Sequence, residues 1–405
     1  MFRPIARLQH GVGSRSFSAT RLREKQRLVI LGSGWGGYEV LRGVDKKRWD
    51  VVLVSPNNYF NFTPLLAGCA VGTLEFRCAI EPVKSKSIAL TNGIYQAWCD
   101  RIDFQNKVLQ CMPATKPPLV ASSTDYQTSE PGNGPTFPLK YDKLVIAVGA
   151  YSQTFNVPAI RSRIFRVPGF EQANQPTLSD TERRQLLNFC VVGAGPTGVE
   201  FAAELHDLLH AEIQEHYPSL AKMARINLYD GPSDHNLVQY AEKSFRREGI
   251  SIWTSHHVDK VEAGKLHVKE QGEVPYGLLV WSTGLSPNPL IASINELKKY
   301  EKTQSILTDE HLNALRSDGS PDPDVFVIGD AGSIESAPLP ATAQGYLAYI
   351  GNWWALSFIP EDGGIPGLSK EYDRPTFTQT LSIRNKILVP FYWFLNCKLA
   401  FDIRL

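Results

Sequence analysis

The chain has 405 residues, a formal net charge of +1 and a hydrophobic content of 43%. This length allows two or three domains with a sizeable core, and the small net charge gives no bulk electrostatic reason to expect nucleic acid as a partner. The six cysteines form no Cys-x-x-Cys pair, so their spacing supports neither a dithiol redox centre nor a zinc site. We therefore expect buried free cysteines in a reducing compartment.

Residues 1–25 are predicted to be a mitochondrial transit peptide. Arginines alternate there with Ser, Ala, Leu and Phe, and the first acidic residue is Glu24. An Arg-rich, Ser-rich, acid-poor leader is typical of mitochondrial import, whereas a secretory signal would have a long apolar core. A disordered basic tail is the alternative. The sequence has no apolar run of about 18 residues, so no transmembrane helix is predicted.

A first nucleotide-binding loop is predicted after the apolar strand Arg27–Leu31. Three glycines occupy the first, third and sixth positions of this loop: Gly32, Gly34 and Gly37. The first permits a tight turn, the second lets the backbone approach a pyrophosphate, and the third allows close helix–strand packing. The helix that begins near Trp35 would direct N–H groups at the phosphates. The next strand, Val51–Val54, ends at Ser55, where an acid is expected for the ribose; a Ser hydroxyl can bind there more weakly.

The aromatic-rich segment Tyr59–Leu66, which contains Thr63, is predicted to be a loop. Its composition is compatible both with lining a flat ring system and with simple core packing. Residues 112–138 are predicted to be a solvated loop because they are rich in Pro, Ser, Thr and Gly. The buried strand that follows ends at Gly149, where a small residue would let a cofactor lie against the backbone.

A second nucleotide-binding loop follows the strand Phe189–Val192. Its glycines repeat the spacing of the first loop: Gly193, Gly195 and Gly198. The next strand, Arg225–Tyr229, ends at Asp230, whose carboxylate would accept from ribose hydroxyls and repel a 2′-phosphate. This predicts NADH rather than NADPH; a cap or turn role for Asp230 is the alternative. Two such units in one chain suggest two nucleotides held face to face.

Glu200 and Glu204 share one face of the helix after the second loop. Glu200 could contact the nicotinamide, or it could simply be a favourable charge near a helix N-terminus. Two later strands end in small residues, one before Gly284 and one before Gly329 and Asp330. A carboxylate at Asp330 would suit the sugar-alcohol chain of a flavin, although the Gly-Asp pair alone is common.

In this order along the chain, the motifs resemble the type II, rotenone-insensitive, non-proton-pumping mitochondrial NADH:ubiquinone oxidoreductases of fungi and plants. The resemblance implies FAD at the first unit, with these contacts: Gly32, Gly34, Gly37, Thr63, Gly149 and Asp330. The pattern of the first unit itself adds Trp35 and Ser55 as expected cofactor contacts. It implies NADH at the second unit, with these contacts: Gly193, Gly195, Gly198, Asp230 and Gly284. It also implies catalytic positions for Glu200, on the nicotinamide side, and for Gln344, near the isoalloxazine and the quinone.

The fold expected from this resemblance is α/β, with two Rossmann-like dinucleotide-binding domains and a C-terminal membrane-associating segment. We expect an FAD-binding domain over 26–185 and 309–345, an NADH-binding domain over 186–308, and a membrane-association region over 346–405. The implied reaction passes a hydride from NADH to FAD and then electrons to ubiquinone in the respiratory chain, without proton pumping. A homodimer on the mitochondrial inner membrane is expected.

The apolar and aromatic segment Ile387–Leu395 is flanked by basic residues. It is too short to span a bilayer and is predicted to lie in the membrane interface; docking on the protein's own core or on a dimer partner is the alternative. Compared with the resembled family, the chain looks shortened after Pro158, Asp230 and Gln344, and a second quinone-side Gln is missing. A non-catalytic flavoprotein of the same fold, or another two-dinucleotide flavoprotein reductase, therefore remains an alternative.

Overall fold

The computed structural model describes residues 25–84, 93–115, 136–152, 164–165, 170–231, 249–336, 346–349, 354–358 and 379–382. Residues 1–24 of the expected transit peptide, Gln344 and the segment Ile387–Leu395 lie outside these residues. Within the described ranges, no helix is both long and apolar enough to cross a membrane.

The first part of the chain forms β1 (Arg27–Leu31), α1 (Trp35–Gly43), β2 (Asp50–Ser55), β3 (Tyr59–Asn61), α2 (Leu66–Val71), β4 (Ile80–Pro82), β5 (Ile94–Asp103), β6 (Val108–Pro113), β7 (Phe137–Lys140), β8 (Lys143–Ile146), β9 (Ala150–Ser152) and β10 (Ile164–Phe165). The middle part forms α3 (Phe170–Ala173), α4 (Asp180–Leu186), β11 (Asn188–Val192), α5 (Pro196–Leu208), α6 (Gln214–His216), α7 (Pro218–Ala221), β12 (Arg225–Asp230), β13 (Ile250–Thr254), β14 (Val258–Glu262), β15 (Lys265–Val268), β16 (Gly272–Pro275) and β17 (Leu278–Trp281). The last part forms β18 (Leu285–Pro287), α8 (Pro289–Ser293), β19 (Ile306–Thr308), β20 (Asn313–Leu315), β21 (Pro321–Val327), β22 (Gly332–Ile334), β23 (Tyr346–Tyr349), β24 (Trp354–Phe358) and β25 (Gln379–Ser382).

The larger sheet has ten strands in the order β22-β19-β20-β21-β8-β1-β2-β5-β6-β7. The strands β21, β8, β1, β2 and β5 pair in parallel, so their carboxyl ends meet at one edge. Val29 and Leu31 of β1 pack into a core on one face, and Leu28 and Ile30 pack into a second core on the other face. Burial on both faces explains why β1 is a continuous apolar run rather than an alternating one.

The smaller sheet has five strands in the order β10-β17-β11-β12-β13, of which all but β10 run in parallel. Its core on one face includes side chains of α5, such as Val199 and Ala202, packed against Phe189 and Val191. Its other face packs on the antiparallel strands β14, β15 and β16. The pattern repeats the strand–loop–helix–strand arrangement of the larger sheet.

The chain passes from the larger to the smaller sheet and back through two adjacent strands. Ala150 of β9 lies opposite Pro287 of β18, and Ser152 lies opposite Leu285, in an antiparallel pair. Asn288 donates from Nδ2 to the Val148 carbonyl at 3.2 Å. The two crossings are therefore fastened to each other beside the carboxyl end of β8.

The segment Tyr59–Leu66 is more ordered than the predicted loop. Its first residues form β3, which pairs with β4, and a short 3-10 turn then leads into α2. Phe60 is buried and its ring stacks on Tyr38 with centroids 4.5 Å apart. Of the two interpretations left open by the composition, core packing therefore holds for Phe60. The predicted loop over 112–138 also has strand ends at both margins, because β6 extends to Pro113 and β7 begins at Phe137.

The residues after 345 contain a small antiparallel sheet in the order β23-β24-β25. Strand β23 lies beside α5 of the second nucleotide unit. The described part of the C-terminal region thus contacts the smaller sheet's main helix.

Candidate dinucleotide sites

The first glycine loop is closed by backbone contacts at two of its three glycines. Gly32 has φ +101°, and a Cβ there would lie 2.3 Å from the Ala147 carbonyl oxygen. A Cβ on Gly37 would lie 1.9 Å from the Gly32 carbonyl oxygen. Neither position has room for a side chain, which explains the first and third glycines as packing requirements of this strand–loop–helix unit.

Gly34, the middle glycine of the first loop, faces open space. It is exposed, and a Cβ built on it meets no described atom within 4 Å. Its backbone is extended (φ −73°, ψ −169°), a conformation that any residue can adopt. The protein itself therefore does not require glycine here, whereas a group lying against the backbone at the N-terminus of α1 would require it.

The second loop repeats the first in each respect. Gly193 has φ +104° and its Cβ would lie 2.7 Å from the Ser282 carbonyl oxygen, while a Cβ on Gly198 would lie 1.9 Å from the Gly193 carbonyl oxygen. A Cβ on Gly195 meets no described atom within 4 Å, and its backbone is extended. Two loops of independent sequence thus present the same open middle glycine to the same kind of helix end.

The residues that end β2 and β12 occupy equivalent positions in the two units, but they differ in chemical type and in the contacts they make. The Ala194 N–H donates to Asp230 Oδ1 at 3.3 Å, and Asp230 is buried. At the corresponding place in the first unit, the Ser55 hydroxyl lies 2.8 Å from the Ser33 hydroxyl. Each strand-end residue therefore holds the second residue of its own glycine loop.

Ser55 lies in an internal hydrogen-bond network. The Ser33 hydroxyl lies 3.0 Å from the Tyr59 carbonyl, and the Asn57 N–H lies 3.3 Å from the Ser55 oxygen. Ser33 donates to Tyr59, Ser55 donates to Ser33, and Asn57 donates to Ser55 in the arrangement that satisfies all three donors. Because Ser55 is buried and its proton is engaged in the loop, its hydroxyl orders the first unit from within.

A residue missed in the sequence fastens the second loop. The Ser282 N–H donates to the Val192 carbonyl at 2.8 Å, and its hydroxyl lies 2.9 Å from the Gly193 carbonyl. Ser282 follows β17 and precedes Gly284, which is exposed and has no described atom within 4 Å of a built Cβ. The strand-end pattern identified Gly284 but carried no signal for Ser282, because its partner lies on a different strand.

Two further glycines with left-handed backbones meet at the edge of the larger sheet. Gly149 (φ +66°) follows β8 and Gly329 (φ +68°) follows β21, and these two strands are neighbours in parallel register. A Cβ on either would meet no described atom within 4 Å. The two chain turns leave an open strip of backbone beside the first glycine loop.

Asp330 stands immediately after this strip. Much of the residue remains accessible to solvent, but protein atoms around its carboxyl remove part of its hydration, and this partial burial raises its pKa above the ordinary value. A carboxylate that is held with incomplete hydration is suited to accept from the hydroxyls of a polyol.

Trp35 and Thr63 are linked across the mouth of the first loop. The Trp35 indole N–H donates to the Thr63 hydroxyl oxygen at 3.1 Å. The indole also packs on Phe60 and Phe62, with ring centroids 4.9 and 5.4 Å away. The sequence singled out both residues, and the structure brings them together; Thr63 is exposed, so the linked pair borders the open side of the loop.

The two sheets also meet through helices α2 and α5. Glu204 lies on α5, and its Oε2 is 3.0 Å from the Thr73 hydroxyl, just beyond α2. Glu200 is half-buried one turn closer to the second glycine loop. The helix whose N-terminus faces the second loop is thus fastened to the half of the protein that carries the first.

The chain matches the family model for pyridine nucleotide-disulphide oxidoreductases over residues 26–345. It is 36% identical over 340 residues to the external alternative NAD(P)H-ubiquinone oxidoreductase B1, mitochondrial, of Solanum tuberosum. This alignment covers 77% of this chain and 56% of that protein. It is 34% identical over 362 residues to the internal alternative NAD(P)H-ubiquinone oxidoreductase A1, mitochondrial, of the same plant, with coverage of 83% and 68%. The chain therefore spans little more than half the length of the first of these relatives.

Among solved structures, the chain resembles NDH2 of Plasmodium falciparum in complex with NADH. The TM-score is 0.65 at 28% sequence identity, and the match covers 77% of this chain and 65% of that one.

Proposed function

The chain belongs to the pyridine nucleotide-disulphide oxidoreductase family, among the relatives of the alternative NAD(P)H-ubiquinone oxidoreductases, and we propose that it is an FAD-dependent NADH:ubiquinone oxidoreductase that does not pump protons. The observation that carries this proposal is the pair of equivalent loops with open middle glycines, Gly34 and Gly195. Each loop needs its outer glycines for packing, and a bound group accounts for the open middle one.

In this proposal the first loop holds FAD. Gly34 leaves room for its pyrophosphate at the N-terminus of α1, while Gly149 and Asp330 would receive the flavin end along the edge of the larger sheet. Trp35 and Thr63, joined by their hydrogen bond, would border the cofactor. Bound FAD supplies the two-electron redox chemistry between a nicotinamide and a quinone.

The second loop would hold NADH. Gly195 leaves room for the pyrophosphate at the N-terminus of α5, and Gly284 leaves the neighbouring strand end open. Asp230 is expected to accept from the adenosine ribose while its other contact, from the Ala194 N–H, keeps the carboxylate at the strand end. A fixed negative charge there disfavours a 2′-phosphate.

The remaining site residues would orient the two halves and adjust their charge. The contact between Glu204 and Thr73 fixes α5 against α2, and Glu200 on the same face would lie on the nicotinamide side. Gln344 is proposed for the quinone side; it lies outside the described residues. Such groups position the reactants and exclude water.

The proposed domains are FAD binding over 26–185 and 309–345, NADH binding over 186–308, and membrane association over 346–405. The names of the plant relatives place those proteins in mitochondria and name ubiquinone. For this chain we propose import through residues 1–25, peripheral attachment to the inner membrane through Ile387–Leu395, and a homodimer.

The decisive experiment is anaerobic addition of NADH to the purified full chain, followed by a short-chain ubiquinone. NADH should bleach the flavin absorbance at about 450 nm, a property of the cofactor, and the quinone should restore it. A colourless protein, or a yellow one that NADH does not bleach, would instead indicate the non-catalytic alternative. Bleaching that a quinone fails to reverse would indicate a reductase with another acceptor.

A further inference from the structure

Two cysteines that are far from any Cys-x-x-Cys spacing lie directly opposite each other on neighbouring strands. Cys99 of β5 and Cys111 of β6 are register partners in an antiparallel pair. The Ala114 N–H donates to the Gln96 carbonyl at 2.9 Å, which makes Gln96 and Ala114 a hydrogen-bonded pair. Because hydrogen-bonded and non-hydrogen-bonded pairs alternate, Cys99 and Cys111 form a non-hydrogen-bonded pair, the type whose side chains approach most closely.

The separation of such a pair suits a covalent bond between the sulfurs. Opposed residues of this type have Cα atoms about 4.5 Å apart, at the short end of the range of about 4.4–6.8 Å that a disulfide can bridge. The two thiols are close enough for each to shift the pKa of the other. Both cysteines are free in this structure, so they form a reduced cross-strand dithiol.

The surroundings of the two sulfurs differ in a useful way. Cys111 is fully buried in the core next to Leu109, whereas Cys99 is half-buried and its Sγ lies 3.5 Å from the Arg101 carbonyl, at a bulge in β5. Within the described part of the chain, solvent and small solutes therefore reach the pair through Cys99. Cys111 is placed behind it, within reach of the same sulfur.

The interaction between the two thiols also affects their ionisation. It lowers the pKa of Cys111 and, together with burial, raises the pKa of Cys99. The pair as a unit thus loses a first proton more readily than an isolated buried thiol and resists losing the second. With one proton between two adjacent sulfurs, a thiolate is available for exchange.

We propose that Cys99 and Cys111 form a thiol modification site that reacts with small-molecule disulfides and closes into a cross-strand disulfide. Cys99 passes its proton to the neighbouring Cys111 thiolate as it attacks one sulfur of the disulfide RSSR. A Cys99–SR bond forms, the S–S bond of RSSR breaks, and the released RS⁻ takes the proton from Cys111. Cys111, as its thiolate, then attacks Cys99 Sγ and expels the second RS⁻. The two cysteines are oxidised and RSSR is reduced to two RSH, the two cysteine protons ending on the released thiols.

Other described cysteines lack this arrangement. Cys190 is fully buried on β11, and its register partners are Asn227 and Leu279; burial raises the pKa of its thiol to about 12. Cys78 is exposed, and Cys69 is partly exposed. These two would react with disulfides in their own right, so the test removes them.

The experiment uses the full chain carrying Cys69→Ser, Cys78→Ser and Cys397→Ser, reduced and then treated with oxidised glutathione. The products are quenched in acid, alkylated and digested with trypsin, which cleaves after Arg101 and Lys107 and so separates the two cysteines. The proposal predicts a cross-linked pair of peptides containing Cys99 and Cys111, with the loss of two alkylatable thiols. Cys190 should remain alkylatable after unfolding.

Two single substitutions in the same background separate the steps. Cys111→Ser should stop at Cys99 carrying one glutathione, whereas Cys99→Ser should leave Cys111 unmodified. The proposal would be overturned if the parent chain, with both Cys99 and Cys111 present, retained as much glutathione on Cys99 as the Cys111→Ser variant does. It would also be overturned if Cys99 did not react.

A second measurement needs no substitution at either site residue and therefore does not depend on the variants folding. Phenylarsine oxide, a trivalent arsenical that bridges two adjacent thiols, should bind the reduced parent at one equivalent and protect Cys99 and Cys111 together from alkylation. Protection of Cys99 alone, or of neither, would contradict a paired site. The readout is mass alone, so it is independent of flavin content and of the proposed NADH oxidation.

Discussion

The Thr73 hydroxyl and the Glu204 carboxylate, 3.0 Å apart, join helix α5 of the second nucleotide unit to the end of α2 in the first. The same hydroxyl is also 3.0 Å from the Gly68 carbonyl. A hydroxyl has one proton, and a carboxylate is the stronger acceptor of the two. We therefore assign the Thr73 hydroxyl proton to the hydrogen bond with the Glu204 carboxylate. This hydrogen bond joins the two halves of the protein.

Replacing this hydroxyl should loosen the attachment of α5. Thr73→Val keeps the shape of the side chain and removes the donor, so the free energy of unfolding should fall by about 1 kcal/mol, and the KM for NADH should rise because α5 is less firmly positioned. Urea unfolding and steady-state kinetics measure the two effects. The matched control is Thr181→Val, at an exposed position on α4, which should change neither quantity; equal effects from both substitutions would remove the special role of Thr73.

The middle and the third glycine of the first loop should respond oppositely to the same methyl group. Gly34→Ala places a Cβ in open space with an allowed backbone, so the fold should be unaffected while flavin affinity falls at least about tenfold, or about 1.4 kcal/mol. Gly37→Ala drives a Cβ into the Gly32 carbonyl, which should cost about 3 kcal/mol of stability. Flavin content by absorbance and unfolding by urea separate the two outcomes.

The second loop supplies an internal control for this prediction. Gly195→Ala should leave flavin content intact and weaken NADH binding, because the two open glycines serve different ligands. If Gly195→Ala depleted flavin and Gly34→Ala did not, the assignment of the loops would be reversed.

The charge at Asp230 should determine the choice of nicotinamide cofactor. Asp230→Asn retains an oxygen that can accept from the Ala194 N–H but removes the negative charge that repels a 2′-phosphate. The ratio of kcat/KM for NADH over NADPH should exceed one in the parent and fall about tenfold in the variant. If the unsubstituted protein used NADH and NADPH equally well, Asp230 would not select the cofactor, and its role would be limited to holding the glycine loop through the Ala194 N–H.

The strands and glycine loops could be predicted from the sequence because their signals are local. The apolar run of β1 and the spacing of Gly32, Gly34 and Gly37 lie within a few residues of one another, and the structure has β1 at the predicted bounds. The contacts that hold the site together depend instead on which strands become neighbours. Ser282 on Gly193 and Thr73 on Glu204 join residues far apart in the chain, and no periodicity in a single sequence reports such pairs.

The cysteines illustrate the same limit. Their spacing argued against a dithiol, since a linear motif is the only pairing that a single sequence displays. Cys99 and Cys111 become a pair through the register of β5 on β6, and that register includes a bulge between Cys99 and Arg101. A local pattern cannot place a bulge of this kind, although it decides which side chains face each other.

The raised pKa of Asp330 gives a pH dependence with a definite sign. The folded chain binds this proton more tightly than the unfolded chain, so ionisation favours unfolding. For the flavin-free protein, we compare the free energy of unfolding of the wild type with that of Asp330→Asn. The difference, wild type minus variant, should be largest below the ordinary Asp pKa of about 3.9 and should fall as the pH rises through the raised pKa of the folded chain. Urea unfolding of both chains at acid and neutral pH measures the difference.

Asp318 supplies a control of opposite sign for that experiment. Hydrogen bonds from the side chain and N–H of Ser320 lower the pKa of Asp318, so its carboxylate stabilises the folded state above its ordinary pKa, and that contribution is lost as the pH falls. The free energy of unfolding of the wild type minus that of Asp318→Asn should therefore rise with pH. Parallel trends for the two aspartates would contradict the assigned environments.

The pairing of β9 with β18 has a consequence for how the chain is made. Strand β21 must join β8 to complete the larger sheet, yet it is synthesised only after the whole smaller sheet, whose strands all lie between the two crossings in the chain. The smaller sheet can therefore compact on the ribosome while the larger one still lacks its last strands. We expect the nascent chain to fold the smaller sheet first. The chain then returns through β18, and the last strands pair with the edge of β8 that is still unpaired.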